Sequence, residues 1–202
     1  MIDMDEIAAT VGDYLDRYGT EHDRLAPLLA AVAQRAAITS RSTFTGHLTC
    51  SALLLDPSGQ ALHIHHNVLD RWLPPGGHLE PTDTSLLGAA LREVEEETGL
   101  TADVLVPLDR RPVDIDIHPI PANPGRDEPR HWHFDLCYAF TVTDPPELTL
   151  QTDEVGAAAW MPIASAPLRA KLDHLGARLA VVAQALPPHT PAPDFAPSPS
   201  PN

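Results

Sequence analysis

The most informative segment of the chain is LPPGGHLEPTDTSLLGAALREVEEETGL, which runs from Leu73 to Leu100. It begins with a Pro/Gly loop, Pro74 to Gly77, and continues into a pattern that predicts a helix from about Ser85 to Thr98, with Gly99 as its C-terminal cap. Apolar residues recur on this helix at helical spacing and predict a core-facing stripe made of Leu87, Ala90, Leu91 and Val94. The helix is therefore expected to pack against the domain through this stripe.

Three acidic residues of the same helix are spaced so that their side chains meet. Residues at i, i+3 and i+4 share one helix face, so Glu93, Glu96 and Glu97 converge, and Arg92 can neutralise part of their charge. An acidic helix face is by itself most often a solvated surface. Hard cations such as Mg²⁺, however, prefer carboxylate oxygens and keep water ligands for substrate phosphates. The spacing alone therefore leaves both a divalent-cation site and a solvated acidic face open.

The residues around the acidic run form one extended pattern, which resembles the signature of the Nudix hydrolases, Gly-x5-Glu-x7-Arg-Glu-U-x-Glu-Glu-x-Gly-U, with U an aliphatic residue. The second half matches at Arg92, Glu93, Val94, Glu96, Glu97, Gly99 and Leu100. The first half departs, because the spacing from Gly77 falls on Asp83 and the spacing back from Arg92 falls on Thr84. One extra residue therefore lies in the loop, and Asp83 and Thr84 are candidates for the helix cap.

The resemblance implies an α/β/α sandwich with a mixed sheet, and a metal-dependent attack of water on a diphosphate that is linked to some further group. It implies that the three glutamates bind Mg²⁺ or Mn²⁺, that the carbonyl of Gly77 adds a ligand, and that Arg92 holds the glutamates in place. The general base varies among Nudix proteins. Glu93 is the first candidate here, because the helix places it beside the metal, and Glu154 is the second, with a plain surface residue as the alternative.

The rest of the chain predicts an α/β domain with two appendages. We expect an N-terminal helical extension over residues 1–42, a Nudix-type domain over 43–186 and a disordered Pro-rich tail over 187–202. Helices are predicted at 2–17, 22–38 and 166–186, and strands near 47–55, 61–66, 104–106, 112–118, 131–143 and 155–162. Because no strand–helix–strand rhythm is present, a layered arrangement is favoured.

Polar residues alternate with apolar ones along two of the predicted strands. The two polar faces are Asp114, Asp116 and His118 on one strand, and His131, His133 and Asp135 on the other. If these strands pair around the loop 119–130, one register sets His118 beside His131 and Asp116 beside His133. This register would produce a ladder of cross-strand polar pairs.

These polar faces supply four of the five predicted substrate-binding residues, His118, His131, His133 and Asp135. The fifth, His78, follows the glycine pair. In this hypothesis the histidines contact phosphate or a second metal. The alternative is a wet outer sheet face with structural His–Asp hydrogen bonds.

The net charge and the cysteine content restrict the partners and the location that can be expected. The formal net charge of −15 argues against a nucleic acid, since its backbone requires a basic face. A small-molecule diphosphate is the expected partner, and the N-terminal helices either cover the sandwich or form a homodimer contact. No run of eighteen apolar residues suggests a membrane span, and the two cysteines are too few for a disulfide framework. A cytoplasmic location is expected.

Two further functions on the same fold stay open. Isopentenyl diphosphate isomerases resemble Nudix proteins and use a cysteine with a glutamate; Cys50 keeps that function possible, although those enzymes usually degrade the pattern that is complete here. Nucleotide-binding sensors commonly lose the glutamates and gain a DNA-binding domain, which two acidic helices do not supply. No motif selects among nucleoside triphosphates, nucleotide sugars, dinucleotides, prenyl diphosphates and capped RNA.

Overall fold

The computed structural model describes residues 2–142, 147–163, 168 and 171–172. Within those residues, three α-helices lie at Met4–Arg17 (α1), Ala26–Ala33 (α2) and Leu86–Thr98 (α3), and single 3₁₀ turns lie at Gly19–Glu21, Ala102–Val104 and Pro124–Arg126. The strands are β1 His47–Leu55, β2 Ala61–His66, β3 Arg71–Leu73, β4 Gly76–His78, β5 Leu105–Pro107, β6 Asp114–Ile120, β7 His131–Val142 and β8 Val155–Met161. All eight described strands belong to one sheet.

The centre of the sheet is a long parallel pair. β1 lies beside β7 in the register His47↔His133 to Leu55↔Thr141. The remaining pairs are antiparallel: β4 and β2 pair with β1, β5 and β6 pair with β7, and β3 and β8 pair with β2. Eight consecutive residues of β1 are buried, which is typical of a central strand covered on both faces. The sheet is therefore mixed, and the predicted α/β class is confirmed.

Each face of the sheet carries its own apolar cluster. The larger cluster joins all three helices to β1, β6 and β7, and includes Ile7, Val11, Leu28, Leu86, Ala90, Val94, Leu48, Cys50, Phe134 and Leu136. The smaller cluster, on the other face, joins Leu53, Val113 and Ala139 to Ile163 and Leu172. Because α1 and α2 share the larger core with α3, the N-terminal helices are packed onto the same layer as the acidic helix.

Most predicted elements lie close to their expected positions, with differences at their ends. The second N-terminal helix is shorter than its predicted range, 22–38, because it ends at Ala33 and Arg35 takes a positive φ of 50°. On α3 the core-facing stripe is rotated: Leu86 and Ala89 are buried, whereas Leu87 and Leu91 are only partly buried. The predicted helix at 166–186 lies mostly outside the described residues, and the tail 187–202 lies wholly outside them. The boundaries of the three predicted parts stay a prediction.

The predicted Pro/Gly loop contains a short strand, β4. Gly76 pairs with Ser51, and His78 pairs with Thr49. A Cβ atom on Gly76 would lie 2.6 Å from the Cα atom of Ser51, so only glycine allows this close approach of the two backbones. A glycine pair reads as a loop in the sequence, but here it is what lets β4 join the sheet.

The predicted ladder between β6 and β7 has the wrong register. Asp116 pairs with Asp135, His118 with His133 and Ile120 with His131, a shift of two residues. The shift arises because β6 continues to Ile120, and a bridge between Asn123 and Glu128 lies within the connection. Since the side-chain period of a strand is two, the same residues still share one face.

No helix in the described part of the chain is long and apolar enough to cross a membrane.

Candidate metal and substrate site

Helix α3 begins and ends with side-chain and backbone caps. Ser85 is the N-cap, and its hydroxyl accepts the N–H of Gly88 at 3.0 Å. Gly99 ends the helix with a left-handed φ of 73°, and its N–H donates to the carbonyl of Glu95. The cap suggested for Asp83 or Thr84 is therefore wrong, because Ser85 occupies that position.

Arg92 is the hub of the acidic cluster. Its guanidinium donates to both carboxylate oxygens of Asp83, at 3.1 and 3.2 Å. Nη1 lies 2.8 Å from Oε2 of Glu96 and 3.0 Å from Oε1 of Glu93, and Nη2 donates to the carbonyl of His78 at 2.9 Å. The arginine thus fixes two glutamates of the helix and the end of β4 relative to one another.

Asp83 has a buried, supporting position. Its side chain is 5% exposed, and besides pairing with Arg92 it accepts the N–H of Glu80 at 2.7 Å. The carbonyl of Glu80 in turn accepts the N–H of Asp83 at 3.0 Å. Although this loop is one residue longer than in the family signature, it still places the carboxylate of Asp83 against Arg92.

Glu93 and Glu97 lie against the glycine pair of β4. A Cβ atom on Gly77 would lie 2.6 Å from the carboxylate oxygens of Glu93, and Oε2 of Glu97 accepts the N–H of Gly76 at 2.9 Å. Glu97 is 3% exposed, and burial raises its pKa to about 8, with the charges of Glu93, Glu154 and Glu96 adding to the shift. Burial raises the pKa of Glu93 to about 7, although Arg92 opposes the shift.

We call Glu93, Glu96 and Glu97 the glutamate strip. Their carboxylates line one side of α3, but the three are not closed around one point, since Arg92 lies against Glu93 and Glu96 while Glu97 turns toward Gly76. The donor set nevertheless fits a hard divalent cation. It consists of three carboxylates, two of which have pKa values raised by burial, and they lie beside a glycine where any Cβ would collide with Glu93.

Glu154 approaches the glutamate strip from the segment before β8. Residues of that segment bond to the C-terminal end of α3: the N–H of Gln151 donates to the carbonyl of Glu97 at 3.3 Å, and the N–H of Thr149 donates to that of Thr98 at 2.9 Å. Glu154 is exposed, and its charge is among those that raise the pKa of Glu97. It therefore lies within electrostatic reach of the strip.

The predicted substrate-binding residues lie on the opposite face of the sheet. Gly77 faces Glu93, and its neighbour on β4, His78, points to the other side because strand side chains alternate. The face of His78 also carries His118, His131, His133 and Asp135. The predicted site residues thus form two groups, one on each face, which meet at β4.

The second group contains residues that the sequence did not single out. His47, Thr49 and Ser51 alternate along β1 on the same face. Asp135 accepts the hydroxyls of Thr49 at 2.8 Å and Ser51 at 2.5 Å; burial raises its pKa, although these hydrogen bonds oppose the shift. Only the parallel pairing of β1 with β7 brings these residues together, and that pairing has no local sequence signal.

His118 differs from the other histidines of this face. Its Nδ1 lies 2.9 Å from Oδ2 of Asp116, and this hydrogen bond raises the pKa of the imidazole. Its side chain is 44% exposed. A partly exposed imidazole whose charged form is favoured by a carboxylate is suited to contact an anion.

A family model described as the NUDIX domain matches residues 45–180, well over half of the chain. The chain therefore belongs to the family of NUDIX-domain proteins.

Individual relatives match over a shorter part of the chain or at lower sequence identity. A protein of Lactococcus lactis subsp. cremoris named "Probable DHNTP pyrophosphohydrolase" is 35% identical over 97 residues, which are 48% of this chain and 55% of that protein. The match thus spans about half the length of the relative. The C. elegans Ap4A hydrolase in a binary complex is 19% identical, with 66% of this chain and 98% of that one covered and a TM-score of 0.48. The E. coli dihydroneopterin triphosphate pyrophosphohydrolase is 17% identical, with 56% and 79% covered and a TM-score of 0.45.

Proposed function

We propose that this protein hydrolyses a phosphoanhydride bond in a small molecule that carries a diphosphate, with Mg²⁺ or Mn²⁺ at the glutamate strip. The observation that carries the proposal is the strip itself: Arg92 orients Glu93 and Glu96, and Glu97 is buried against the backbone of β4. Membership of the NUDIX family supports it, as does the relative whose name is a pyrophosphohydrolase.

The proposed metal ligands are Glu93, Glu96, Glu97 and the carbonyl of Gly77. A divalent cation held there would neutralise diphosphate oxygens and lower the pKa of the attacking water. The net charge of −15 makes such a cation necessary, because the bare site would repel a phosphate.

The chain's own residues have separate parts in this proposal. Arg92, anchored on Asp83, keeps Glu93 and Glu96 in position. Glu93 is the first candidate for the general base, because α3 places its carboxylate beside Gly77 and Arg92, next to the proposed metal. Glu154 is the second candidate, because it adds negative charge beside Glu97 from an exposed position.

We further propose that the remaining part of the substrate lies along the polar face beyond β4. His78 joins the two regions, because Arg92 binds its carbonyl while its imidazole faces the other residues, His118, His131, His133 and Asp135. His118 is the best suited of them to a phosphate, for it is exposed and its raised pKa favours the charged form.

The structure disfavours the isomerase alternative. That function needs a cysteine at the substrate, but Cys50 is fully buried in the larger core, and burial raises the pKa of its thiol well above the ordinary value. The sensor alternative is disfavoured by the N-terminal helices, because Ile7, Val11 and Leu28 pack into the same core and do not form a separate unit.

A substrate panel tests the proposal. Phosphate and pyrophosphate release is measured with Mg²⁺ and Mn²⁺ on nucleoside triphosphates, nucleotide sugars, dinucleotides, prenyl diphosphates and dihydroneopterin triphosphate. The variants Glu96→Gln and Glu97→Gln are expected to lose about 100-fold or more in kcat/KM. The neighbouring Glu95→Gln, whose side chain is exposed, is the matched control and should keep full activity. Wild-type rates in both strip variants would refute the site.

The same assay tests the substrate contact. His118→Ala is expected to raise KM severalfold at an unchanged kcat, since it removes an interaction with the bound ground state. An unchanged KM would reject the contact.

A further inference from the structure

Three imidazoles from three different strands converge on the face opposite to α3. His47 lies on β1, His78 on β4 and His133 on β7, and one side-chain nitrogen of each lies within 4.8 Å of those of the other two. The ring centroids are 4.8 to 5.1 Å apart. Among the residues that the structure describes, no other group of three histidine, cysteine or acidic side chains brings its ligand atoms this close together. We call them the histidine cluster.

His47 carries a nitrogen that needs a partner. The residue is 1% exposed, and its Nδ1 lies 3.3 Å from the carbonyl of Thr43, to which it donates when it carries the proton. Nε2 is then a buried lone pair, and no hydrogen-bond partner for it exists among the residues that the structure describes. Buried polar atoms are nearly always paired, so an orphan here points to an absent ligand.

The three imidazoles lie together away from bulk solvent, where low polarity favours their uncharged form. His47 is 1% exposed, and His78 and His133 are half-buried. Uncharged imidazoles offer a phosphate no positive charge, but their lone pairs are the usual ligands of transition metals.

We propose that His47, His78 and His133 bind a borderline divalent transition metal of the Zn²⁺ type, at a site separate from the glutamate strip. Three imidazole nitrogens suit Zn²⁺ and do not suit Mg²⁺, which requires oxygen ligands. His78 and His133 are only partly buried, so solvent can reach the cluster, and three histidines are a ligand set of catalytic zinc sites, which keep one position open. The site does not depend on the proposed hydrolysis.

Neighbouring groups support the cluster from outside. The contact of His47 with the carbonyl of Thr43 is of the kind that fixes the tautomer of a metal-binding imidazole. His131, whose Nδ1 lies 2.8 Å from the carbonyl of Pro129, brings its Nε2 to 3.3 Å from Nε2 of His133. His131 therefore packs against the cluster and restrains the ring of His133.

Zinc binding to the full-length protein tests the proposal. Protein stripped of metal by a chelator is dialysed against Zn²⁺ with an excess of Mg²⁺, and bound zinc is counted by mass spectrometry; the affinity follows from competition with a chromophoric chelator. We expect one tightly bound Zn²⁺ that Mg²⁺ does not displace. With Co²⁺ as the probe, we expect the intense visible absorption of a four-coordinate site. Absence of a bound equivalent in the wild type would overturn the proposal.

Single variants locate the site. His78→Ala and His133→Ala are each expected to weaken zinc binding by at least about 100-fold, since even outer partners of a metal site cost 10–100-fold when removed. His22→Ala, an exposed histidine on the N-terminal segment, is the matched control and should bind like the wild type. Equal binding by all four proteins would also overturn the proposal.

A further variant separates this test from that of the proposed function. Glu97→Gln is expected to lose hydrolysis while it keeps the zinc equivalent. An active enzyme without zinc would reject only the histidine cluster, and a zinc-binding protein without hydrolysis of any panel substrate would reject only the proposed function.

Discussion

Burial shifts the pKa values on the two sides of β4 in opposite directions, and on both sides it favours the neutral form. On the side of α3, burial raises the pKa of Glu93 to about 7 and that of Glu97 to about 8. On the other side, it lowers the pKa of His78 to about 4 and that of His133 to about 3. In both cases low polarity penalises the charged form. Each side is thus biased toward neutral groups, but the carboxyls must lose their protons before they bind a cation, whereas the imidazoles can bind as they are.

The two sides differ in the cation that they suit. The glutamate strip offers hard oxygens and is organised by Arg92, whereas the histidine cluster offers nitrogens and contains no acidic member. Consecutive residues of one short strand, Gly77 and His78, serve the two sides. Because consecutive residues of a strand face opposite sides of the sheet, β4 contributes to an oxygen-ligand site on one face and to a nitrogen-ligand site on the other.

The substitution Gly77→Ala is expected to disturb the glutamate side of β4 and to leave the histidine side intact. The added Cβ would lie 2.6 Å from the carboxylate of Glu93 and would push it away from β4. We expect kcat/KM to fall by about 100-fold, as when a catalytic contact is displaced by an ångström, while zinc binding at the histidine cluster persists. Steady-state kinetics and zinc counting on the same preparation measure both. A fully active Gly77→Ala enzyme would remove Glu93 from the site.

Mg²⁺ binding at the glutamate strip is expected to depend on pH. Glu93 and Glu97 must lose their protons to bind the cation, and their raised pKa values place that loss near pH 7 and 8. Mg²⁺ affinity is therefore expected to rise more than about tenfold between pH 6 and pH 9. Titration calorimetry in two buffers of different ionisation enthalpy should also detect proton release at pH 7. A flat affinity over this range would contradict the assignment.

A smaller effect concerns the stability of the metal-free protein. A carboxyl with a raised pKa in the folded state binds more protons there than in the unfolded chain, so the free energy of unfolding falls as the pH rises through the folded pKa. For Glu97 this fall begins above the ordinary carboxyl pKa of 4.5 and is complete once the pH passes the folded pKa of about 8. Glu97→Gln is expected to reduce the loss of stability between pH 6 and pH 9 by about 1–3 kcal/mol. Denaturant unfolding at both pH values measures it, with Glu95→Gln as the control that should keep the wild-type loss.

The sequence was sufficient for the regular and local parts of the fold. Helix α3 was predictable because its apolar residues recur at helical spacing and a glycine follows its last turn. The shared faces of β6 and β7 were predictable although their register was wrong, because a shift of two residues leaves every side chain on the same face.

The remaining parts depend on contacts between distant residues. His47 could not be predicted as a neighbour of His133, since β1 and β7 pair in parallel across more than eighty residues of chain. The strand β4 exists only because Gly76 can approach the backbone of Ser51. The buried pairing of Asp83 with Arg92 likewise requires the folded loop.

The most direct measurement is a crystal soaked in Mn²⁺ and examined by anomalous diffraction. We expect a manganese peak on α3, at about 2.0–2.2 Å from carboxylate oxygens of at least two members of the glutamate strip, with the carbonyl of Gly77 beside it. Carboxylates of Glu93, Glu96 and Glu97 that point into bulk solvent, with no manganese near them, would rule out metal binding at the glutamate strip.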